Sequence, residues 1–230
     1  MLIKLQKIPN RKLVPMKITV VYDNEVLKKG LIAGWGFSCL IDNDTLFDTG
    51  GDGVALLHNM EKLGIDPSNI KSVVLSHGHG DHTGGLSELL EVNPNLTVYA
   101  LASFSRWLKN EIPAKTRLVE VRGPTQIRKE IYTTGELGAY TKEQSLICLD
   151  KRGAFVITGC SHPGVRSILN AASKIGKIYG IVGGFHGFSD FDALKGLRLI
   201  SPCHCTVYKK ELARAFPKQY VRCGAGLVIE

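Results

Sequence analysis

The sequence predicts an α/β fold in which helices cover the outer faces of two packed β-sheets. Short apolar runs with strand character alternate along the chain with segments whose apolar residues have helical spacing. A succession of strand, strand, helix and strand occurs twice, and each time the last strand runs into a loop of glycine and histidine. These two observations favour two similar halves that pack together.

Length and composition favour one domain. The chain has 230 residues, of which 44% are hydrophobic, and this is enough for a sizeable core. A clear strand pattern begins after Met16, whereas the residues before it are basic and lack a regular apolar pattern. We therefore predict a single domain over residues 16–230, preceded by an optional N-terminal extension over residues 1–15.

The elements of the first half follow from local patterns. Val54, Leu57, Met60 and Leu63 recur at helical spacing, and Gly64 is placed to end that helix. Strands are predicted over 17–22, 37–41, 45–47, 72–75 and 96–100, and helices over 53–63 and from 86–90 onward.

The second half repeats this order. A Thr-Gly pair follows a strand at residues 49–50 and again at residues 158–159. A helix comes next in each half, at 54–63 and at 165–175, before a buried strand and its Gly/His loop. A duplicated β-β-α-β unit would place both loops at the same edge of the two sheets.

Residues 101–142 interrupt the repeat. This segment contains Trp107, two prolines and a basic stretch from Arg117 to Lys129. It is compatible with an excursion that covers a site and equally with an ordinary edge region of the sheets.

The formal net charge of the chain is +8 at pH 7. A basic balance favours an anionic small-molecule substrate, such as a phosphate ester, because the summed charge attracts anions. The basic residues are scattered, and no known nucleic-acid motif is found among them. We expect a small-molecule substrate rather than nucleic acid, and the sequence leaves open a homo-oligomer.

Membrane and secretion signals are not recognised in the sequence. It has no run of about 18 apolar residues, so we predict no membrane span. Residues 1–15 lack the apolar core of a signal peptide, which favours a cytoplasmic protein. The six cysteines, at positions 39, 148, 160, 203, 205 and 223, are therefore expected to be reduced.

The run His77-Gly78-His79-Gly80-Asp81-His82 predicts a metal site. Four residues of ligand type lie within six positions, directly after a buried strand. Imidazole and carboxylate groups suit zinc, manganese or iron. So many ligands suit two ions about 3.5–4 Å apart better than one tetrahedral ion.

This run resembles the HxHxDH signature of the metallo-β-lactamase superfamily, and Asp48-Thr49-Gly50 is similar to an upstream element of that superfamily. The resemblance covers the chain from about Met16 onward. It implies a four-layer αββα sandwich with a dinuclear site at one edge of the sheets. It also implies two divalent ions, with zinc favoured over manganese, iron or magnesium.

The same resemblance implies a division of the ligands. His77 and His79 would bind the first ion, together with His162. Asp81 and His82 would bind the second ion, together with His204. Members of the superfamily that transfer electrons tend to carry Glu at the position of His79, so His79 favours zinc-type chemistry.

The sequence departs from the superfamily pattern after Gly159. Many members place there an aspartate that bridges the metals, whereas this chain has Cys160. This departure leaves three alternatives. Cys160 is itself a ligand, His162 occupies the space of the missing aspartate, or hydroxide alone bridges the two ions. We favour the last two alternatives, with Cys160 as a small buried hydrophobe.

Other residues are assigned more general roles. His186, in the run Gly183-Gly184-Phe185-His186, is expected to contact substrate, to donate a proton or to be an extra metal ligand. Asp48 is expected to orient a ligand. Glu143 is a further residue within reach of the site. Strand alternation would turn Cys203 and Cys205 away from His204, as packing residues.

The expected activity is hydrolysis of a phosphorylated or other anionic small molecule by a metal-bound hydroxide, with Asp81 and His186 as catalytic residues. The motifs are also similar to the subfamily of 7,8-dihydropterin-6-methyl-4-(β-D-ribofuranosyl)aminobenzene 5′-phosphate synthase, in methanopterin biosynthesis. A transferase that couples a pterin diphosphate to an aminobenzene ribosyl phosphate is therefore one alternative. A non-catalytic metal-binding or redox partner protein is another.

Overall fold

The computed structural model describes residues 16–230, apart from the side chains of Trp107, Glu111 and Pro113. The predicted extension over residues 1–15 lies outside the described residues. The strands are β1 (Ile18–Tyr22), β2 (Ser38–Ile41), β3 (Thr45–Phe47), β4 (Ser72–Val74), β5 (Thr97–Leu101), β6 (Arg117–Val121), β7 (Thr125–Arg128), β8 (Ile131–Thr133), β9 (Leu146–Asp150), β10 (Gly153–Thr158), β11 (Ile178–Gly184), β12 (Leu199–Cys203) and β13 (Val228–Ile229). The helices are α1 (Gly53–Leu63), α2 (Gly80–Thr83), α3 (Leu86–Val92), α4 (Arg106–Lys115), α5 (Val165–Ser173) and α6 (Lys209–Ala215).

The strands form two mixed sheets. The first sheet has seven strands in the order β13-β1-β2-β3-β4-β5-β6, and the second has six in the order β12-β11-β10-β9-β8-β7. β2 pairs antiparallel with β3, which pairs parallel with β4 across α1. β9 pairs antiparallel with β10, which pairs parallel with β11 across α5. The predicted β-β-α-β repeat is therefore confirmed.

Three apolar clusters show how the layers pack. The central cluster joins the facing sides of the two sheets, for example through Phe47 of β3 and Phe155 of β10. An outer cluster packs α1 and α3 on the first sheet, and Leu56 and Leu89 are fully buried within it. The other outer cluster packs α5 and α6 on the second sheet. The chain thus has the predicted four layers, with helices outside two sheets.

Helix α1 has the bounds that its sequence predicts. Its side-chain cap is Asp52, whose Oδ1 accepts a hydrogen bond from the backbone N–H of Ala55 at 2.9 Å. Gly64 ends the helix in the left-handed region, with φ of 70°, where glycine has no steric penalty. Helix α5 is slightly shorter than predicted, because it ends at Ser173 rather than at residue 175.

Residues 101–142 form edge structure. β6 is the last strand of the first sheet, and β7 and β8 are the last two strands of the second. Of the two interpretations of this segment, the edge region is the correct one.

Parallel pairing sets the position of the functional loops. β3, β4 and β5 run parallel to one another in the first sheet, as do β10, β11 and β12 in the second. Carboxyl ends of parallel strands lie at a common edge, where loops can present side chains. The loops that follow β3, β4, β10, β11 and β12 carry the predicted site residues.

Candidate metal centre

Two adjoining groups of side chains could each hold a metal ion. His77, His79 and His162 form the first group. The second consists of Asp81, His82, Cys160 and His204. Within each group, one ligand atom per residue lies within 4.8 Å of all the others. The structure therefore brings together all six residues predicted as metal ligands, with the predicted division between two positions.

Imidazole nitrogens converge in the first group. Nε2 of His77 lies 3.1 Å from Nδ1 of His79, and the ring centroids of His77 and His162 are 4.6 Å apart. Ser76 fixes the ring of His77 from behind, because its Oγ lies 2.8 Å from Nδ1. Burial and, next, the neighbouring His82 lower the pKa of His77 to about 2, which keeps this imidazole neutral and able to bind a metal.

His162 is held by Glu143, which is fully buried. Oε2 of Glu143 accepts hydrogen bonds from the backbone N–H of His162 at 3.0 Å and from its Nδ1 at 2.9 Å. This contact makes Nδ1 the protonated nitrogen and leaves Nε2 with a lone pair for a metal.

The other carboxylate oxygen of Glu143 holds the loop itself. Oε1 accepts hydrogen bonds from the backbone N–H groups of Gly159, Cys160 and Ser161 at 3.1, 3.0 and 2.9 Å. Burial alone would raise the pKa of Glu143, but the hydrogen bonds, led by that from His162, lower it to about 2. The sequence placed Glu143 near the site, but its loop-fixing role depends on backbone geometry.

The second group includes a thiol. Sγ of Cys160 lies 3.2 Å from Nε2 of His82, and Oδ2 of Asp81 lies 3.1 Å from Nε2 of His204. The sequence favoured Cys160 as a packing residue only. Its place among these donor atoms instead favours the alternative in which Cys160 is a ligand.

Asp48 orients His82, in agreement with the role expected from the sequence. Oδ2 of Asp48 lies 2.7 Å from Nδ1 of His82, so that Nε2 of the ring points to Cys160. Burial opposes the charged form of His82, but Asp48 outweighs this effect and raises the pKa of His82. Ser76 holds Asp48 in turn, with its N–H and Oγ donating to the two carboxylate oxygens at 2.6 and 2.7 Å.

His204 is oriented by residues that the sequence analysis missed. Its Nδ1 lies 3.0 Å from Oδ1 of Asn24, and its backbone N–H donates to Oδ1 of Asp23 at 3.1 Å. Asn24 follows β1, at the opposite end of the chain from His204. Local spacing carries no signal for such a pair, since only the packing of the sheets brings the two together.

Several loop residues adopt left-handed backbone conformations that non-glycine residues rarely use. They are Asp48 (φ 55°), Ser161 (φ 61°), His186 (φ 48°) and His204 (φ 45°). Such conformations persist where the surrounding contacts fix them, and they concentrate at functional sites.

His186 lies beside the second group rather than in it. Cys160, His186 and Cys205 form a neighbouring cluster, in which the histidine is exposed. A hydrogen bond with Cys160 lowers the pKa of Cys205, burial opposes this effect, and the neighbouring His186 adds to it. Cys205 therefore faces the site, in contrast to the expectation that it packs on the other side of the chain.

The donor atoms fit divalent metal ions. Nε2 of His204 is buried and makes no hydrogen bond, although it lies 3.1 Å from Oδ2 of Asp81. An unpartnered buried nitrogen is costly, and a shared cation would satisfy both atoms. Imidazole, carboxylate and thiolate together match the ligands that proteins use for zinc and similar ions.

Comparison with known proteins agrees with this geometry. The family model of the metallo-beta-lactamase superfamily matches residues 41–161. The chain is 28% identical to the 7,8-dihydropterin-6-methyl-4-(beta-D-ribofuranosyl)-aminobenzene-5'-phosphate synthase of Methanocaldococcus jannaschii, in an alignment of 297 residues that covers 100% of both proteins.

Solved structures show the same fold. A crystal structure described as a metal-dependent hydrolase of the beta-lactamase superfamily has a TM-score of 0.79 and 30% identity, and the match covers 94% of this chain and 99% of the other. The metallo-beta-lactamase fold protein YhfI from Bacillus subtilis has a TM-score of 0.70 and 17% identity, over 94% and 100% of the two chains.

The chain belongs to the metallo-beta-lactamase superfamily. Members of this superfamily are generally enzymes and typically bind divalent metals. Within residues 16–230, no helix is both long enough and apolar enough to span a lipid bilayer.

Proposed function

We propose that this protein is a metal-dependent hydrolase that acts on a phosphorylated or other anionic small molecule. The observation that carries the proposal is the pair of adjoining donor groups at one edge of the two sheets. Two such groups suit a pair of ions that act on the same substrate. The net charge of +8 supports the preference for an anion.

Each ion would have its own ligands. His77, His79 and His162 would hold one, and Asp81, His82, Cys160 and His204 would hold the other. Bound divalent ions supply an acidified water and stabilise negative charge on the oxygens of a carbonyl or phosphoryl group.

The chain's own residues set the geometry of the reaction. The carboxylate of Asp81 is partly exposed, with 19% of the side chain accessible, and we assign to it a catalytic contact with the substrate. His186 is exposed, and its ring centroid lies 5.2 Å from that of His162. We assign to His186 the contact with the substrate and the donation of a proton to the leaving group.

Transfer rather than hydrolysis is the second candidate. It is supported by the full-length similarity to the dihydropterin-ribofuranosyl-aminobenzene phosphate synthase. In a transfer reaction, the two divalent ions would stabilise a diphosphate leaving group. The aromatic ring of the second substrate would be the nucleophile in place of water. The arrangement of the donor groups is compatible with both reactions.

The test combines metal analysis with turnover. The purified protein is analysed for zinc, manganese and iron, and is assayed on a panel of phosphodiesters and phosphomonoesters. Two ions per chain with ester cleavage would support the hydrolase. Two ions without cleavage, but with product in the pterin-coupling assay, would support the transferase. Metal binding with neither activity would favour a non-catalytic role and contradict the proposal.

A further inference from the structure

A second cluster of metal-ligand type lies behind the metal centre. Asp23 follows β1 of the first sheet, Cys203 ends β12 of the second, and Cys223 lies between α6 and β13. All three side chains are buried, and one ligand atom from each lies within 4.8 Å of the other two. The cluster shares no residue with the two groups described above.

One carboxylate oxygen of Asp23 accepts hydrogen bonds, and the other has no hydrogen-bond partner. Oδ1 accepts hydrogen bonds from the backbone N–H groups of Asn24 at 2.5 Å and of His204 at 3.1 Å. Oδ2 is buried and has no hydrogen-bond partner. A buried carboxylate oxygen without a partner is strongly unfavourable, so a partner of opposite charge is expected at this point.

We propose that Asp23, Cys203 and Cys223 bind a further divalent metal ion of zinc type, in a structural site. Two thiolates and one carboxylate are ligands that zinc takes in proteins. Binding would replace the thiol protons, which go to solvent, and would provide the missing partner of Oδ2.

The surroundings are suited to such an ion. Three anionic ligands around a divalent cation leave one negative charge, and the ammonium group of Lys209 is close enough to interact with Asp23. A cavity of about 290 Å³ adjoins Cys223. The cavity offers an entry path to Cys223. A water molecule would be the fourth ligand of a tetrahedral ion.

The site would connect three parts of the fold. It would join the end of β1 to the end of β12, and both to the segment that follows α6. Asp23 also accepts the backbone N–H of His204, so the ion would hold the loop that presents His204 to the metal centre. This inference does not depend on the reaction that the protein catalyses.

Cobalt substitution tests the proposal. The double variant Cys160→Ala/Cys205→Ala serves as the parent, because these two changes remove the thiols that lie in or beside the two donor groups of the metal centre. The parent is loaded with cobalt(II), and absorption due to thiolate-to-cobalt charge transfer is recorded. We expect a band that is lost in the Cys223→Ser derivative, together with one fewer ion per chain by elemental analysis. Cys148 is a buried cysteine of the central apolar cluster and lies outside every group of metal-ligand type among the described residues. Cys148→Ser is therefore the matched control and should retain the band.

Failure of the Cys223→Ser derivative to fold would also remove the band. Two further measurements are therefore made on the parent itself. X-ray absorption of the zinc-loaded parent should show sulfur neighbours at about 2.3 Å. A spectrum with only nitrogen and oxygen neighbours would overturn the proposal. Detection by mass spectrometry of a disulfide between Cys203 and Cys223 in the isolated protein would also overturn the proposal.

Discussion

Oδ2 of Asp48 lies 2.7 Å from Nδ1 of His82, and both side chains are completely buried. Asp48 directly follows β3, whereas His82 lies in α2, so the contact ties this helix to the end of the strand. The carboxylate fixes the ring of His82 with Nε2 turned toward Cys160. Metal ligands depend on such supporting contacts almost as strongly as on their own donor atoms.

Replacing Asp48 by asparagine should weaken metal binding at the second group. The neutral amide cannot reproduce the negative charge that supports His82. Its NH₂ end would also face a hydrogen-bond donor of Ser76 or His82, where Asp48 has an accepting oxygen. We expect metal affinity to fall about tenfold to hundredfold, measured by competition with a chelator of known affinity. Asp192→Asn, at an exposed position paired with Lys195, is the control and should leave the affinity unchanged. Unaltered affinity in Asp48→Asn would remove Asp48 from the support of the site.

Replacing Glu143 by glutamine should destabilise the fold. One end of the amide would place N–H groups against the N–H groups of His162. We expect a loss of about 2–4 kcal/mol in the free energy of unfolding, measured with urea. Glu120→Gln removes an exposed ion pair with Lys109 and should cost less than about 1 kcal/mol. Equal stability of the two variants would show that Glu143 is not needed to hold its loop.

Removing the sulfur of Cys160 should affect one ion and not the other. Cys160 lies in the second donor group, with His82 and His204. The first donor group contains His162 and has no thiol. We expect Cys160→Ala to weaken one of two binding events in a zinc titration, and His82→Ala to abolish that event together with nearly all turnover. Two unchanged binding events in Cys160→Ala would restore the interpretation of Cys160 as a packing residue.

Removing the imidazole of His186 should spare the metals. The side chain is exposed, and it lies outside both catalytic groups. We expect His186→Ala to retain its full metal content and to lose about 10²- to 10⁴-fold in kcat, as for a lost proton donor. His58→Ala, on α1, is the control and should keep normal kinetics. Loss of an ion from His186→Ala would identify His186 as a ligand instead.

The part of the site that follows from the sequence is the part encoded locally. His77, His79, Asp81 and His82 lie in one short loop, and their spacing alone indicates metal binding. The internal repeat predicted that the Gly/His loops of both halves lie at the same edge of the sheets, and the parallel pairing of β3 with β4 and of β10 with β11 places them there. The layers of the fold followed from the same alternation of strands and helices.

The supporting contacts required the folded chain. Asn24 and His204 are 180 positions apart, and no pattern in the sequence connects them. Glu143 is recognisable as a loop-fixing residue only once the backbone N–H groups of residues 159–162 point toward it. The role of Cys160 does not follow from the sequence, because a thiol after a buried strand suits packing and metal binding equally well; its position beside Asp81, His82 and His204 favours the ligand alternative.

Both donor groups combine side chains from both halves of the chain, so neither is complete before the second half has been synthesised. During translation, the ribosome releases the last residue of the first group, His162, well before the last residue of the second, His204. The residues of the first group are therefore all present on a nascent chain that still lacks His204 of the second group. The order of synthesis thus completes the two sets of donor residues at different times.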